Sequence, residues 1–181
     1  MRLLAISGSL RRSSYNRALL DAVAAESGPD IEVVFWNELE RIPAYNEDAE
    51  VQQPESVAAL KDEIARADAV LFATPEYNGS IPGALKNALD WISRPFAENP
   101  LRDKPVAVIG ASQGAFGALW AQAELRKILR TIGASVDDNE LAVANAQDAF
   151  APVGILRDPR QRAALTSIVE ALSYRTRRRA A

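Results

Sequence analysis

The sequence predicts a doubly wound α/β domain on a parallel sheet, and three observations carry that reading. Short apolar runs alternate with stretches of helical apolar spacing along the whole chain. Two of the runs, Ala69–Thr74 (AVLFAT) and Pro105–Ala111 (PVAVIGA), are apolar throughout, as strands buried on both faces are. Three of the runs are followed at once by loops rich in hydroxyls, amides and glycine.

Residues 3–6 read as the first strand and residues 31–36 (IEVVFW) as the second. The two apolar runs are the third and fourth, and a weaker fifth lies within 135–143. Leu19 and Val23 mark one helix face, and Val57, Leu60 and Ile64 the next. The same spacing recurs at Leu85, Ala88, Leu89 and Ile92, at Leu125, Ile128, Leu129 and Ile132, and at Leu165, Ile168, Val169 and Leu172. Gly133 is placed to close the fourth of these helices, and Asp158 with Pro159 to open the last. With no repeat or linker, residues 1–181 read as a single domain.

Composition narrows the chemistry. The chain has no Cys and no His, which excludes disulfides, thiol redox chemistry and any triad built on histidine. A redox role would need a bound cofactor. A formal net charge of −3 gives no reason to expect nucleic acid as a partner. The arginines at 175, 177, 178 and 179 read as a solvated helix end favoured by the helix dipole. No apolar run is long enough to span a membrane, and a cytoplasmic location is the expectation.

In an open parallel sheet, ligands bind beyond the carboxyl ends of the strands. The loop after the first strand, residues 7–16 (SGSLRRSSYN), has the parts of a phosphate site. Ser9 and Ser14 supply hydroxyls, Asn16 an amide and Arg11 a guanidinium, beside free N–H groups at a helix start. The two serines could simply cap the helix, but Arg11 and Arg12 oppose its dipole unless an anion intervenes. Neither a P-loop nor a G-x-G-x-x-G fingerprint is present, so a mononucleotide suits better than a dinucleotide. The loops at 75–83 (PEYNGSIPG) and 112–117 (SQGAFG) could hold a planar polar ring. Tyr77 offers a face, Asn78, Gln113 and backbone amides offer donors, and Gly79, Gly83 and Gly114 allow close approach. Each loop taken alone could equally be a turn.

The segments GSLRRSSYNRAL, TPEYNGSIPGALKNALDWIS and GASQGAFGALWAQAELRKIL resemble the NAD(P)H-dependent FMN reductase family, the branch with chromate and quinone reductases. The resemblance runs to about residue 145. It implies a flavodoxin-like, five-stranded sheet of order 2-1-3-4-5 and a noncovalent FMN, with NAD(P)H as co-substrate. It places Ser9, Arg11, Ser14 and Asn16 at the flavin phosphate, with Tyr15 alongside. It places Pro75, Glu76, Tyr77, Asn78 and Gly79 along the isoalloxazine, and Ser112 and Gly114 on its other side. It further implies a small electron acceptor (a quinone, flavin, azo or nitro compound, or chromate), a ping-pong cycle, and a homodimer or homotetramer. Helix 83–93 with Trp91, together with the Tyr77 loop, is the expected dimer face. The alternative from another class is a flavodoxin-type electron carrier, which the modest net charge fits poorly. A flavin-free binding domain on the same fold is a third.

Overall fold

Four parallel strands form the centre of the computed structural model, which describes residues 1–151 and 154–180: β1 (Arg2–Ser7), β2 (Glu32–Trp36), β3 (Ala69–Thr74) and β4 (Pro105–Ala111). With β5 (Ser135–Val136) they lie in the order β2-β1-β3-β4-β5, the flavodoxin-like order that the resemblance implied. Helices cover both faces, and strand alternation divides the apolar side chains between them. Leu4, Ile6, Val70, Phe72, Val106 and Val108 pack against α2 (Glu55–Arg66), α3 (Gly83–Ile92) and α4 (Leu119–Thr131). Leu3, Ala5, Leu71, Ala73 and Ile109 pack against α1 (Tyr15–Glu26) and α6 (Pro159–Ala180) on the other face. Between β4 and α6 lies the short α5 (Ala146–Ala149). Among the described residues no helix is long and apolar enough to cross a membrane.

The third and fourth strands have the bounds read from the sequence. The fifth is broken. β5 pairs with Pro105 and Val106, and a separate β6 (Ala142–Val143) pairs with Gly110 and Ala111. Arg126 of α4 occupies the gap between them. Its Nη2 donates to Val108 O at 3.1 Å and to Asn139 O at 3.2 Å. Burial pushes its pKa down, and Glu140, whose Oε2 lies 3.4 Å from Nη1, pulls it back up.

Two further placements differ from expectation. Trp91 is an interior residue, 1% exposed, donating from Nε1 to Pro43 O at 2.9 Å and meeting Tyr45 edge-on. It cannot form a dimer face. Arg175 is not a free tail cation, because its Nε lies 3.2 Å from Oδ2 of the buried Asp137.

Arg126→Ala would leave the Val108 and Asn139 carbonyls without this donor, inside the broken strand. We predict a loss of about 2 kcal/mol in urea unfolding, the scale for buried backbone acceptors left unpaired. An unchanged midpoint and slope would show that the gap is closed by other means.

Candidate active site

The turn from β1 into α1 presents donors at one place. Ser14 caps the helix, its Oγ accepting from Asn16 N at 3.2 Å and Arg17 N at 3.4 Å. Its own hydroxyl proton remains available to another acceptor. The backbone N–H groups of Arg12, Ser13 and Tyr15 have no acceptor among the described residues. No acidic side chain stands in the first turn of α1, so the positive end of the helix is not neutralised locally. Ser9 is half-buried, its Oγ accepting weakly from Arg11 N at 3.4 Å. Arg11 is exposed, with its guanidinium 5.0 Å from the centre of the Tyr15 ring. Tyr15 in turn stacks nearly parallel to Phe150 at 6.4 Å.

Asn16, which also lines the cleft between the loops, carries a structural task. It is 2% exposed, and its carboxamide bonds both backbone groups of Ala111: Nδ2 donates to Ala111 O and Oδ1 accepts from Ala111 N, each at 2.9 Å. β3 has ended at Thr74, and Pro75 brings no N–H, so the side chain stands in for a strand residue beside β4. Asn16 positions the loop.

Glu76 is likewise engaged. The start of α4 has no side-chain cap of its own, because its N-cap is Ala118. Glu76 Oε2 supplies one from the neighbouring loop, accepting from Trp120 N at 3.1 Å and Ala121 N at 3.2 Å. Tyr77 and Ser80 exchange backbone bonds of 3.0 and 3.1 Å across Asn78 and Gly79, whose φ values are +54° and +74°. That is a type I′ turn, for which Asn-Gly is the preferred pair. In the loop after β4, Ser112 Oγ accepts from Gly114 N at 3.1 Å. Gly117, at φ +58°, lies so close to β6 that a Cβ would stand 2.5 Å from Ala142 C.

These loops enclose a cleft of about 340 Å³ at the carboxyl edge of the sheet. The first loop contributes Ser9, Arg11, Ser14, Tyr15 and Asn16, and the second Pro75, Glu76 and Tyr77. Ser112 comes from the fourth-strand loop, accompanied by Ala111 and Gln113. Asn78, Gly79 and Gly114 shape the turns but do not line the cleft. Gln113 also ties two loops together, its Nε2 donating to Tyr15 Oη at 3.3 Å.

The donor set fits FMN. One end of the cleft offers hydroxyls, a guanidinium and unpaired N–H groups, which suit a phosphate. Towards the other loops, the backbone N–H groups of Glu76 and Gln113 have no acceptor among the described residues. Such amides suit the oxygens and nitrogens of a flavin ring.

Comparison with known proteins identifies the family. A family model described as NADPH-dependent FMN reductase matches residues 1–148. The NAD(P)H-dependent FMN reductase PA1204 of Pseudomonas aeruginosa is 41% identical over 98% of this chain and 96% of its own. A quinone reductase of Escherichia coli K12 is 39% identical over 75% of this chain and 73% of its own. The solved structure of FerB, a flavoenzyme NAD(P)H:(acceptor) oxidoreductase from Paracoccus denitrificans, superposes with a TM-score of 0.89 at 36% identity, covering 98% and 97% of the two chains. The chain therefore belongs to the NADPH-dependent FMN reductase family, oxidoreductases that work with FMN and NAD(P)H.

Proposed function

We propose that the chain passes electrons from NAD(P)H, through FMN held in the three-loop cleft, to a small quinone-type acceptor. The convergence of three sheet-edge loops on one cleft carries this reading. The quinone reductases among its relatives favour that class of acceptor.

FMN, when bound, supplies the two-electron chemistry. The protein's residues bind and orient it. Arg11, the Ser9 and Ser14 hydroxyls and the start of α1 hold the phosphate, with the Tyr15 ring near both Arg11 and Phe150. Pro75, Glu76 and Tyr77 flank the ring on one side, and Ala111, Ser112 and Gln113 on the other. Tyr77, 52% exposed, stands at the mouth. Reductant and acceptor would use the same open side in turn, which makes the cycle ping-pong. The chain has no His or Cys, so neither imidazole nor thiol takes part.

Exposed aromatics also point to self-association. Phe116 (59% exposed) and Trp120 (51%) meet edge to face at 4.8 Å. Glu76 links Trp120 to the Tyr77 loop, so the cluster lies beside the cleft. A second copy covering these rings would bury them and wall the mouth.

Anaerobic spectroscopy tests the activity. Protein loaded with FMN should lose its flavin bands on addition of NADPH or NADH and regain them with a small quinone. Bands that neither nucleotide bleaches would favour an electron carrier, and a protein that takes up no FMN would overturn the proposal. For the assembly, light scattering should give at least a dimer at micromolar concentration, with Trp120→Glu shifting it to monomer. A monomeric wild type would remove the aromatic contact from the account.

A further inference from the structure

A second cleft, of about 400 Å³, opens on the β2 side of the phosphate loop and shares Ser9 and Arg11 with the first. Its wall is apolar where Leu10, Trp36 and Leu39 meet it, with Leu10 51% exposed. That surface suits a flat heteroaromatic ring.

The charges at this cleft are unevenly satisfied. Arg17 is held by its neighbours: Nε lies 2.9 Å from Asp21 Oδ1, Nη1 donates to Asn37 Oδ1 at 2.5 Å, and the guanidinium lies over Phe35. Arg11 stands at the junction, over Tyr15. Arg12 is exposed and has no hydrogen-bond or ion-pair partner among the described residues. Glu40 is the one carboxylate on the lining, against three arginines. One phosphate in the first cleft accounts for Arg11 and the helix start. It leaves Arg12 beside a positive helix end without an ion-pair partner among the described residues.

Resting on the flavin reading above, we propose that this second cleft seats the adenosine end of the nicotinamide co-substrate, with Arg12 binding its 2′-phosphate. Because the clefts meet at Ser9 and Arg11, a dinucleotide whose nicotinamide end reaches the flavin can lay its adenosine across that junction. The purine then packs on Trp36 and the two leucines. A guanidinium fork makes paired, charge-assisted bonds to a phosphate monoester, which a ribose hydroxyl cannot reproduce. NADPH is thus the preferred reductant over NADH.

Calorimetric titration with adenosine 2′,5′-bisphosphate and with 5′-AMP tests this without turnover. Each is run on the protein with and without FMN. The bisphosphate should bind about tenfold or more tightly, the scale of one lost charge-assisted contact. Arg12→Ala should erase that preference with FMN affinity unchanged, and Arg12→Lys should restore part of it. Equal binding of the two nucleotides by wild type, or a preference that survives Arg12→Ala, would overturn the assignment. FMN affinity is read from the same samples. Its absence in wild type would defeat the flavin reading, whereas the nucleotide comparison judges the cleft separately.

Discussion

Two bonds from one asparagine hold the sheet edge together. Asn16 lies at the start of α1, yet its carboxamide pairs with Ala111 at the far end of β4, two strands away from β1. The pair is buried, and losing one side would leave a backbone N–H and C=O unsatisfied in the interior. It fixes where the helix N-terminus stands relative to the fourth-strand loop, so the phosphate donors and the Ala111–Gln113 wall keep a constant separation. Gln113, reaching back to Tyr15 Oη, makes a second and weaker tie between the same loops.

The electrostatics follow the same economy of groups. The cleft gathers its positive potential from a helix end without acidic neighbours, two hydroxyls and one guanidinium. The nearby carboxylate, Glu76, is drawn to the opposite helix start, where it caps α4. A carboxylate free to face the cleft would weaken anion binding. Bonded to two α4 amides, it orders the Tyr77 loop instead.

The fold was legible in the sequence because its central strands are apolar on both faces, a pattern that no surface element imitates. β3 and β4 have the expected bounds, Gly133 takes the left-handed conformation after α4 at φ +94°, and Asp158 Oδ1 accepts from Arg160 N at the start of α6. The broken fifth strand was not legible. Pairings two residues long carry no period, and the group that fills the gap is an arginine on a distant helix. Within the site, the loops were found but some roles were not. An asparagine after a helix cap looks the same whether it faces a ligand or a strand. Asn78-Gly79, by contrast, carried a readable turn signal, and the structure closes that turn at the expected place. Phe150 was missed because its partnership with Tyr15 depends on a chain segment outside the three motifs.

The central claim is that the loop from Ser9 to Asn16 is a phosphate cradle. The most direct measurement compares FMN with riboflavin, which differ only in that phosphate, by flavin-fluorescence quenching on flavin-free protein. The account predicts FMN to bind about 100-fold or more tightly, the sum of two charge-assisted contacts. Equal affinities would contradict it.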